Sequence, residues 1–436
     1  VVFAQESDVK LSLKDCVQIA LENNPDIHTY KNISQRAKLS VNQSYSNILP
    51  VASTSFSSGS YKVGPSTFLG DAVDPVTGEV KQITLTRDGF SRRTHRASLT
   101  VNQNIFDGGF WWNNIHQSKV NRNIADFNLQ VTENQVVRLV AQYYFDLLKQ
   151  QKLMEVYALA VQRSEDQLNR AQQMYEIGSV AQVDVYRAKV NYGQDKISFL
   201  NQENVVKNAK QLLNLSMGKD ALTPLDIVNE LEFEHQLPEL DELLNSSKRY
   251  QPELRSRELA VRSSEIGVSL TKSNFLPTLG VSFNYNRDHE ILKNVYTNLD
   301  KNWSYSFGLR VSFNLFNGFS DRINYQMSKV DLKDSQIQLV DYKRTLESTI
   351  SYLFNNYRAL LEIVELNKEN LEAAQEEYRL ANERYRLGSG TSLELREAQV
   401  NLTQAEQILV TAEYNAIITY IELQESVGTV KKVLNI

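Results

Sequence analysis

Two kinds of periodicity alternate along this chain. Short segments repeat every second residue. Trp303, Tyr305, Phe307, Leu309, Val311, Phe313 and Leu315 alternate with Ser304, Ser306, Gly308, Arg310, Ser312 and Asn314. Ala97, Leu99, Val101 and Ile105 alternate with Ser98, Thr100, Asn102 and Asn104, and Leu279, Val281, Phe283 and Tyr285 with Gly280, Ser282, Asn284 and Asn286. A fourth, weaker segment follows Pro50, with Thr54 and Phe56 on its better face. Such alternation predicts strands with one apolar and one polar face. Long segments repeat instead at three and four residues. Leu129, Val136, Val140, Tyr144, Leu147 and Leu148 form one narrow apolar stripe, and Leu339, Leu346, Ile350, Phe354 and Tyr357 form another. They predict helices over 109–177 and 319–387, roughly 100 Å each at 1.5 Å per residue.

The pattern occurs twice. Asn24-Pro25-Asp26-Ile27 matches Gln251-Pro252-Glu253-Leu254, and Ser46-Asn47-Ile48-Leu49-Pro50 matches Ser273-Asn274-Phe275-Leu276-Pro277, both 227 residues apart. Ile105-Phe106-Asp107-Gly108 matches Leu315-Phe316-Asn317-Gly318, and Tyr175-Glu176-Ile177-Gly178-Ser179 matches Tyr385-Arg386-Leu387-Gly388-Ser389, now 210 apart. Leu213, Ser216 and Gly218 match Leu423, Ser426 and Gly428. Two copies of one unit follow, the first carrying 17 extra residues between Pro50 and Ile105. Each copy reads as a helix (12–47, 240–274), two strands (about 51–62 and 94–106; about 277–287 and 302–316), a long helix and a further helix to about Ser216 and Ser426. The copies occupy 5–218 and 239–428, with 219–238 as linker and 429–436 as tail. Gly178 and Gly388 read as left-handed helix caps.

Composition narrows the classes. With 17 Gly and 8 Pro in 436 residues, collagen-like and low-complexity folds are excluded. No apolar run approaches the roughly 18–20 residues of a transmembrane helix. The net charge of −5 and pI near 5.8 argue against nucleic acid as partner. Cys16 alone cannot make a disulfide framework or a cysteine zinc site. Val2-Phe3-Ala4 before Gln5 matches the end of a signal peptide, placing 1–4 outside the mature chain. Asn and Gln, 68 of the 436 residues, suit helix faces that stay wet without strong charge.

Period-2 segments of about 10 residues occur in membrane barrels and in half-buried soluble sheets alike. Four strands cannot close a membrane barrel, and an open edge in lipid leaves N–H and C=O groups unsatisfied. If these strands span a membrane, several chains share one barrel.

From about Leu11 to Gly428 the sequence resembles the outer membrane efflux proteins, the TolC type of outer membrane factor. The carrying motifs are Leu13-Lys14-Asp15-Cys16 through Asn23-Asn24-Pro25, the Leu49-Pro50 and Leu276-Pro277 helix exits, the Phe106-Asp107-Gly108-Gly109 and Phe316-Asn317-Gly318 strand exits, and the two Tyr-x-x-Gly-Ser turns. The resemblance implies a mainly α fold with a membrane β-barrel portion. Three chains would share a twelve-stranded barrel continued by a long α-helical barrel. It implies a passive exit duct of a tripartite efflux pump or type I secretion system, in the outer membrane of a diderm bacterium with most of the chain in the periplasm. The partners implied are two further copies, a periplasmic adaptor (membrane fusion) protein, an inner-membrane transporter of RND, ABC or MFS type, and outer membrane lipid. No cofactor, metal or enzymatic activity is implied. The alternative class is a soluble periplasmic adaptor or coiled-coil scaffold.

The resemblance also assigns residues. Glu394 and Glu397 map to an acidic ring at the periplasmic entrance, which would favour cations; equally, Thr391-x-x-Glu394 is a capping box. Asp184 holds the matching place in copy one. Tyr385 maps to an aromatic at the gate and Tyr175 is its partner position; packing of the turn is the other reading. Where family members often carry a locking arginine, Gly390 stands, and the nearest cations are Arg386, Arg396 and Arg187. Gly178, Ser179, Val180, Gly388, Ser389 and Gly390 map to an adaptor-docking surface. Trp111, Trp112 and Trp303 map to aromatic girdles at opposite barrel rims. Hairpins at about 61–94 and 287–302 would face outside. Arg87, Arg92, Arg93, His95 and Arg96 cluster at the end of the first loop, as contacts for lipopolysaccharide phosphates or as a solvated loop.

Overall fold

The structure, a computed structural model, describes residues 10–228 and 238–434. The expected signal-peptide end, part of the linker and the last tail residues lie outside the described residues.

Copy one comprises α1 (Leu13–Asn23), α2 (Pro25–Tyr45), β1 (Val51–Val63), β2 (Ser66–Val73), β3 (Val80–Arg87), β4 (Phe90–Asp107), α3 (Phe110–Glu176) and α4 (Gln182–Ser216). Copy two comprises α5 (Leu240–Tyr250), α6 (Pro252–Ser273), β5 (Thr278–His289), the short α7 (Lys293–Tyr296), β6 (Trp303–Ser312), α8 (Ser320–Arg386) and α9 (Ser392–Val427), with α10 (Val430–Val433) after it. The long helices α3 and α8 each run 67 residues unbroken.

Four elements differ from the sequence reading. The first helix of each copy is two helices. Pro25 and Pro252 push Asn24 and Gln251 to extended backbone, ψ 128° and 111°, and a new helix starts at the proline. The extra residues of copy one are a second hairpin, β2–β3, rather than a plain loop. Arg92, Arg93, His95 and Arg96 therefore lie within β4, not in a loop. β6 stops at Ser312 instead of running to 316. Its one neighbour, β5, begins at Thr278 opposite Ser312, and Pro277 before it has no N–H to extend the ladder.

The structure divides into two compact units. One is built from residues up to Ala37, Asn121–Val261 and from Asp334 on; the other from Lys38–Val120 and Arg262–Lys333. The first unit is helical and draws on both copies. Its main core joins Val17 and Ala20 of α1, Ile27 of α2, Val137, Val140, Leu147 and Leu148 of α3, Leu213 of α4 and Ile421 of α9. The linker's start is tied in: Leu225 and Ile227 are buried, Ile227 bridges Leu11, and the Tyr144 hydroxyl donates to the Val228 carbonyl at 2.8 Å.

Both copies build the same junction in this unit. The Asn24 amide donates to the Ser216 carbonyl at 3.0 Å, and the Gln251 amide to the Ser426 carbonyl at 2.8 Å. Each pre-proline break thus satisfies a carbonyl that the end of α4 or α9 leaves without a helical partner.

The second unit holds an antiparallel sheet in the order β1-β4-β5-β6. A bulge between Asn104 and Phe106 sets Phe106, not Ile105, opposite Leu279. β1 and β6 each pair on one side only. All four helical connections leave the sheet at one end, through Val51, Asp107, Thr278 and Ser312.

Candidate functional site

The sheet sorts its side chains by face. Cross-strand rows Ala52–Val101–Phe283–Phe307 and Thr54–Leu99–Tyr285–Tyr305 lie on one face. Rows Ser53–Thr100–Asn284–Ser306 and Ser55–Ser98–Asn286–Ser304 lie on the other, where the Ser55 and Ser98 hydroxyls share a 2.7 Å hydrogen bond. The apolar face is uncovered. On β6, Tyr305, Phe307, Leu309 and Val311 are each about two-thirds exposed or more. Burying each such side chain is worth about 1.5–3 kcal/mol. A contiguous patch of this size marks a surface meant for protein or lipid.

Trp303 begins β6, exposed on the apolar face, stacked on Tyr305 at 5.9 Å, with its indole N–H donated to the Asp300 carbonyl. Trp111 and Trp112 sit at the other end of the strands, in the first turn of α3, with ring centroids 4.5 Å apart. The Trp111 backbone N–H donates to the Asp107 carboxylate at 3.0 Å, which caps α3. Sequence reasoning missed Arg287. It is buried at the hairpin end and donates to the carbonyls of Asn294, Thr297, Asn298 and Lys301, so one guanidinium shapes the whole β5–β6 connection.

The helix turns are built alike. Gly178 and Gly388 have φ 71° and 74°. The Ser179 N–H reaches the Met174 carbonyl at 2.8 Å and the Gly178 N–H the Tyr175 carbonyl at 2.9 Å; Ser389 and Gly388 do the same to Arg384 and Tyr385. These are Schellman caps. Ser179 and Ser389 are exposed, and Val180 and Gly390 half-buried.

Glu394 makes the capping box. Its carboxylate accepts from the Thr391 N–H at 3.3 Å, and its own N–H donates to the Thr391 hydroxyl at 3.2 Å. Arg384 lies 3.6 Å from the same carboxylate, a cation the sequence reading did not single out. Glu397 is exposed, one turn on, with no ion pair among the described residues. Asp184 pairs with Arg187 at 3.0 Å. Tyr385 is buried, and burial raises its phenol above the ordinary range; Arg170 opposes that shift and Asp184 adds to it. Tyr175, its partner position, is exposed. The two turns are therefore equivalent in backbone and unequal in side-chain packing.

Further along the same helices, two ion pairs join the copies. Arg396 of α9 clasps Asp195 of α4 through two bonds of 2.7 and 2.9 Å. Arg163 of α3 pairs with Glu406 of α9 at 2.8 Å. Both border an open groove of about 500 Å³ between α3, α4 and α9. Of the other two cations read near the turn, Arg187 holds Asp184, and Arg386 is exposed. Among the described residues no three His, Cys, Asp or Glu side chains gather as a metal site, and no helix is long and apolar enough to cross a membrane.

Comparison with known proteins agrees with this arrangement. The profile of a family described as "Outer membrane efflux protein" matches residues 16–219 and 243–429. The chain is 22% identical to outer membrane protein TolC of Escherichia coli (strain K12), over 79% of this chain and 71% of that one. It is 22% identical to the outer membrane efflux protein BepC of Brucella suis, over 77% and 73%. Among solved structures, CusC, described in terms of transmembrane channel formation, superposes with TM-score 0.82 at 14% identity, covering 96% of this chain and 92% of that one.

Proposed function

Because the chain belongs to the outer membrane efflux protein family, we propose that it is the exit duct of a tripartite efflux pump or type I secretion system, a passive homotrimeric channel gated at its periplasmic end. Membership makes it an outer-membrane protein and a channel-type protein rather than an enzyme. A soluble adaptor or scaffold, the alternative class, does not fit that membership. The observation that carries the proposal is the four-stranded sheet with two open edges, one apolar face and one polar face. Such a sheet is stable in lipid only when other copies pair both edges.

In this reading the polar face lines the pore, and the helices of both repeats, 5–218 and 239–428, continue it into the periplasm. Glu394, Glu397 and Asp184 ring the entrance, with Tyr385 and Tyr175 at the gate. The Gly178-Ser179-Val180 and Gly388-Ser389-Gly390 turns dock the adaptor, which couples the duct to an inner-membrane transporter. Trp303 and the Trp111–Trp112 pair anchor opposite membrane interfaces.

Fractionation and mass in detergent test the assembly. The protein is expected with outer membranes and as a particle of about 150 kDa, three times the 49.9 kDa chain, before the detergent's contribution. In planar bilayers it is expected to give small, cation-selective conductance. A soluble monomer without conductance would refute the duct.

A further inference from the structure

The cations at the hairpin end of the sheet divide by face. In β4 the register sets Arg93 opposite Ser60, His95 opposite Ser58 and His289, and Ser91 opposite Lys62. Side chains alternate along a strand. Lys62, Arg93, His95 and His289 therefore share the face of Leu99, Phe283 and Trp303. Arg92 and Arg96 lie on the polar face.

The two groups are treated differently. On the polar face, Arg96 stands opposite Asp288, and Arg92 lies 3.4 Å from Glu290. On the apolar face, Lys62 and Arg93 are exposed and have no carboxylate in ion-pairing reach among the described residues. His95 shares a hydrogen bond with the Ser58 hydroxyl at 2.8 Å, and the His289 Nδ1 accepts from the Ile291 N–H at 2.9 Å. Each of these two polar-face cations thus has an acid as its ion-pair partner or its cross-strand neighbour, and Lys62 and Arg93 have neither among the described residues.

Height along the strand matters too. Ala97, Arg287 and Trp303 form the last row with a large apolar side chain. Arg93 and Ser91 lie four and six residues beyond Ala97 along β4. At roughly 3.3 Å per residue and a strand tilt of about 40°, Arg93 stands about 10 Å and Lys62 about 15 Å beyond that row. The phosphorylated sugars of an outer-leaflet glycolipid lie outside the hydrocarbon edge, on the side of that row where Arg93 and Lys62 stand.

We propose that Lys62, Arg93, His95 and His289 form an outward-facing strip that binds the phosphate groups of an outer-leaflet glycolipid of lipopolysaccharide type. Arg93 contributes a planar fork suited to phosphate, Lys62 a point charge, and the imidazoles hydrogen bonds nearer the acyl chains. The strip rests on the reading that the apolar face meets hydrocarbon with the hairpin end outermost.

The test uses the full-length protein in detergent with rough-type lipopolysaccharide, intact or dephosphorylated, and reads bound lipid per trimer by native mass spectrometry. Removing one cation beside an anionic lipid surface weakens binding about five-fold. K62Q/R93Q is expected to lose about twenty-five-fold on that basis, R92Q to bind as wild type, and dephosphorylated lipid to bind like the double variant. Equal binding by K62Q/R93Q and wild type, an equal loss in R92Q, or indifference to the phosphates would overturn the proposal. A W111F/W112F protein, in which Trp303 is the remaining tryptophan, reports the underlying reading through quenching by brominated acyl chains. Quenching with unchanged K62Q/R93Q binding removes the lipid strip alone. Absence of quenching removes the hydrocarbon contact, and the strip with it.

Discussion

Gly428 and Gly178 have similar positive φ, 85° and 71°, yet carry different burdens. A Cβ on Gly428 would meet the Tyr250 carbonyl oxygen at 2.5 Å, whereas one on Gly178 meets nothing within 4 Å. Gly428→Ala combines backbone strain with a clash against main chain and should lower stability by about 2–4 kcal/mol. Gly178→Ala should cost about 1 kcal/mol. Thermal unfolding in detergent orders the two, and equal losses would contradict the close-packed junction. The Asp195–Arg396 pair is mostly shielded from solvent. Asp195→Asn leaves Arg396 with half its fork unmet and should cost about 3 kcal/mol, while an apolar pair at both sites should cost less; unfolding of the two variants checks this. Glu425 gives a pH dependence. Burial raises its carboxyl above the ordinary range, and Arg138 only partly offsets that. The folded state then holds a proton the unfolded chain has released, so this contribution fades as pH rises from the ordinary carboxylate range through the folded value. Glu425→Gln should therefore gain stability over wild type at pH 7.5 and lose that advantage near pH 4.5. The glycines and Arg396 were singled out in the sequence, but the burial of Glu425 and the partner of Arg396 were not. Asp195 and Arg396 are 201 positions apart, and no local pattern joins them.

At the scale of elements, the proposed entrance at the start of α9 offers a cleaner experiment than the capping role of Glu394 suggests. Gln at N3 also completes a capping box. Glu394→Gln and Glu397→Gln therefore remove charge and keep the start of α9. Cation selectivity should fall and conductance grow in both. The larger effect is expected from Glu397, because Arg384 already neutralises part of Glu394. Unchanged bilayer recordings would remove both residues from the entrance. Most elements were legible: the period-2 strands, the long helices and the glycine turns all follow from spacing. The breaks at Asn24 and Gln251 were legible too but went unread: Pro25 and Pro252 fall in the interior of the helices read over 12–47 and 240–274, where proline ends or kinks a helix at the residue before it. The β2–β3 hairpin escaped because Phe68 and Leu69 are adjacent and Val80 is out of phase with Ile83 and Leu85, which blurs the alternation. The bulge at Ile105 preserved the apolar count and hid the shift of register.

For the whole molecule, the modest apolar content and the open-edged sheet point the same way. A unit that leaves the outer edges of β1 and β6 unpaired and one aromatic-rich face exposed fits the proposed wall shared among copies. Mean hydropathy of −0.40 fits a chain whose surfaces meet water on a pore side and lipid over one band only. Closure is the central claim, and edge-to-edge cross-linking tests it most directly. Single cysteines placed along β1 and along β6 of the same chain, with Cys16 replaced, are oxidised in native outer membranes. The account predicts β1–β6 disulfides between different copies and a covalent series that ends at three chains. A series that stops at two, continues past three, or never forms would contradict a barrel shared by three copies.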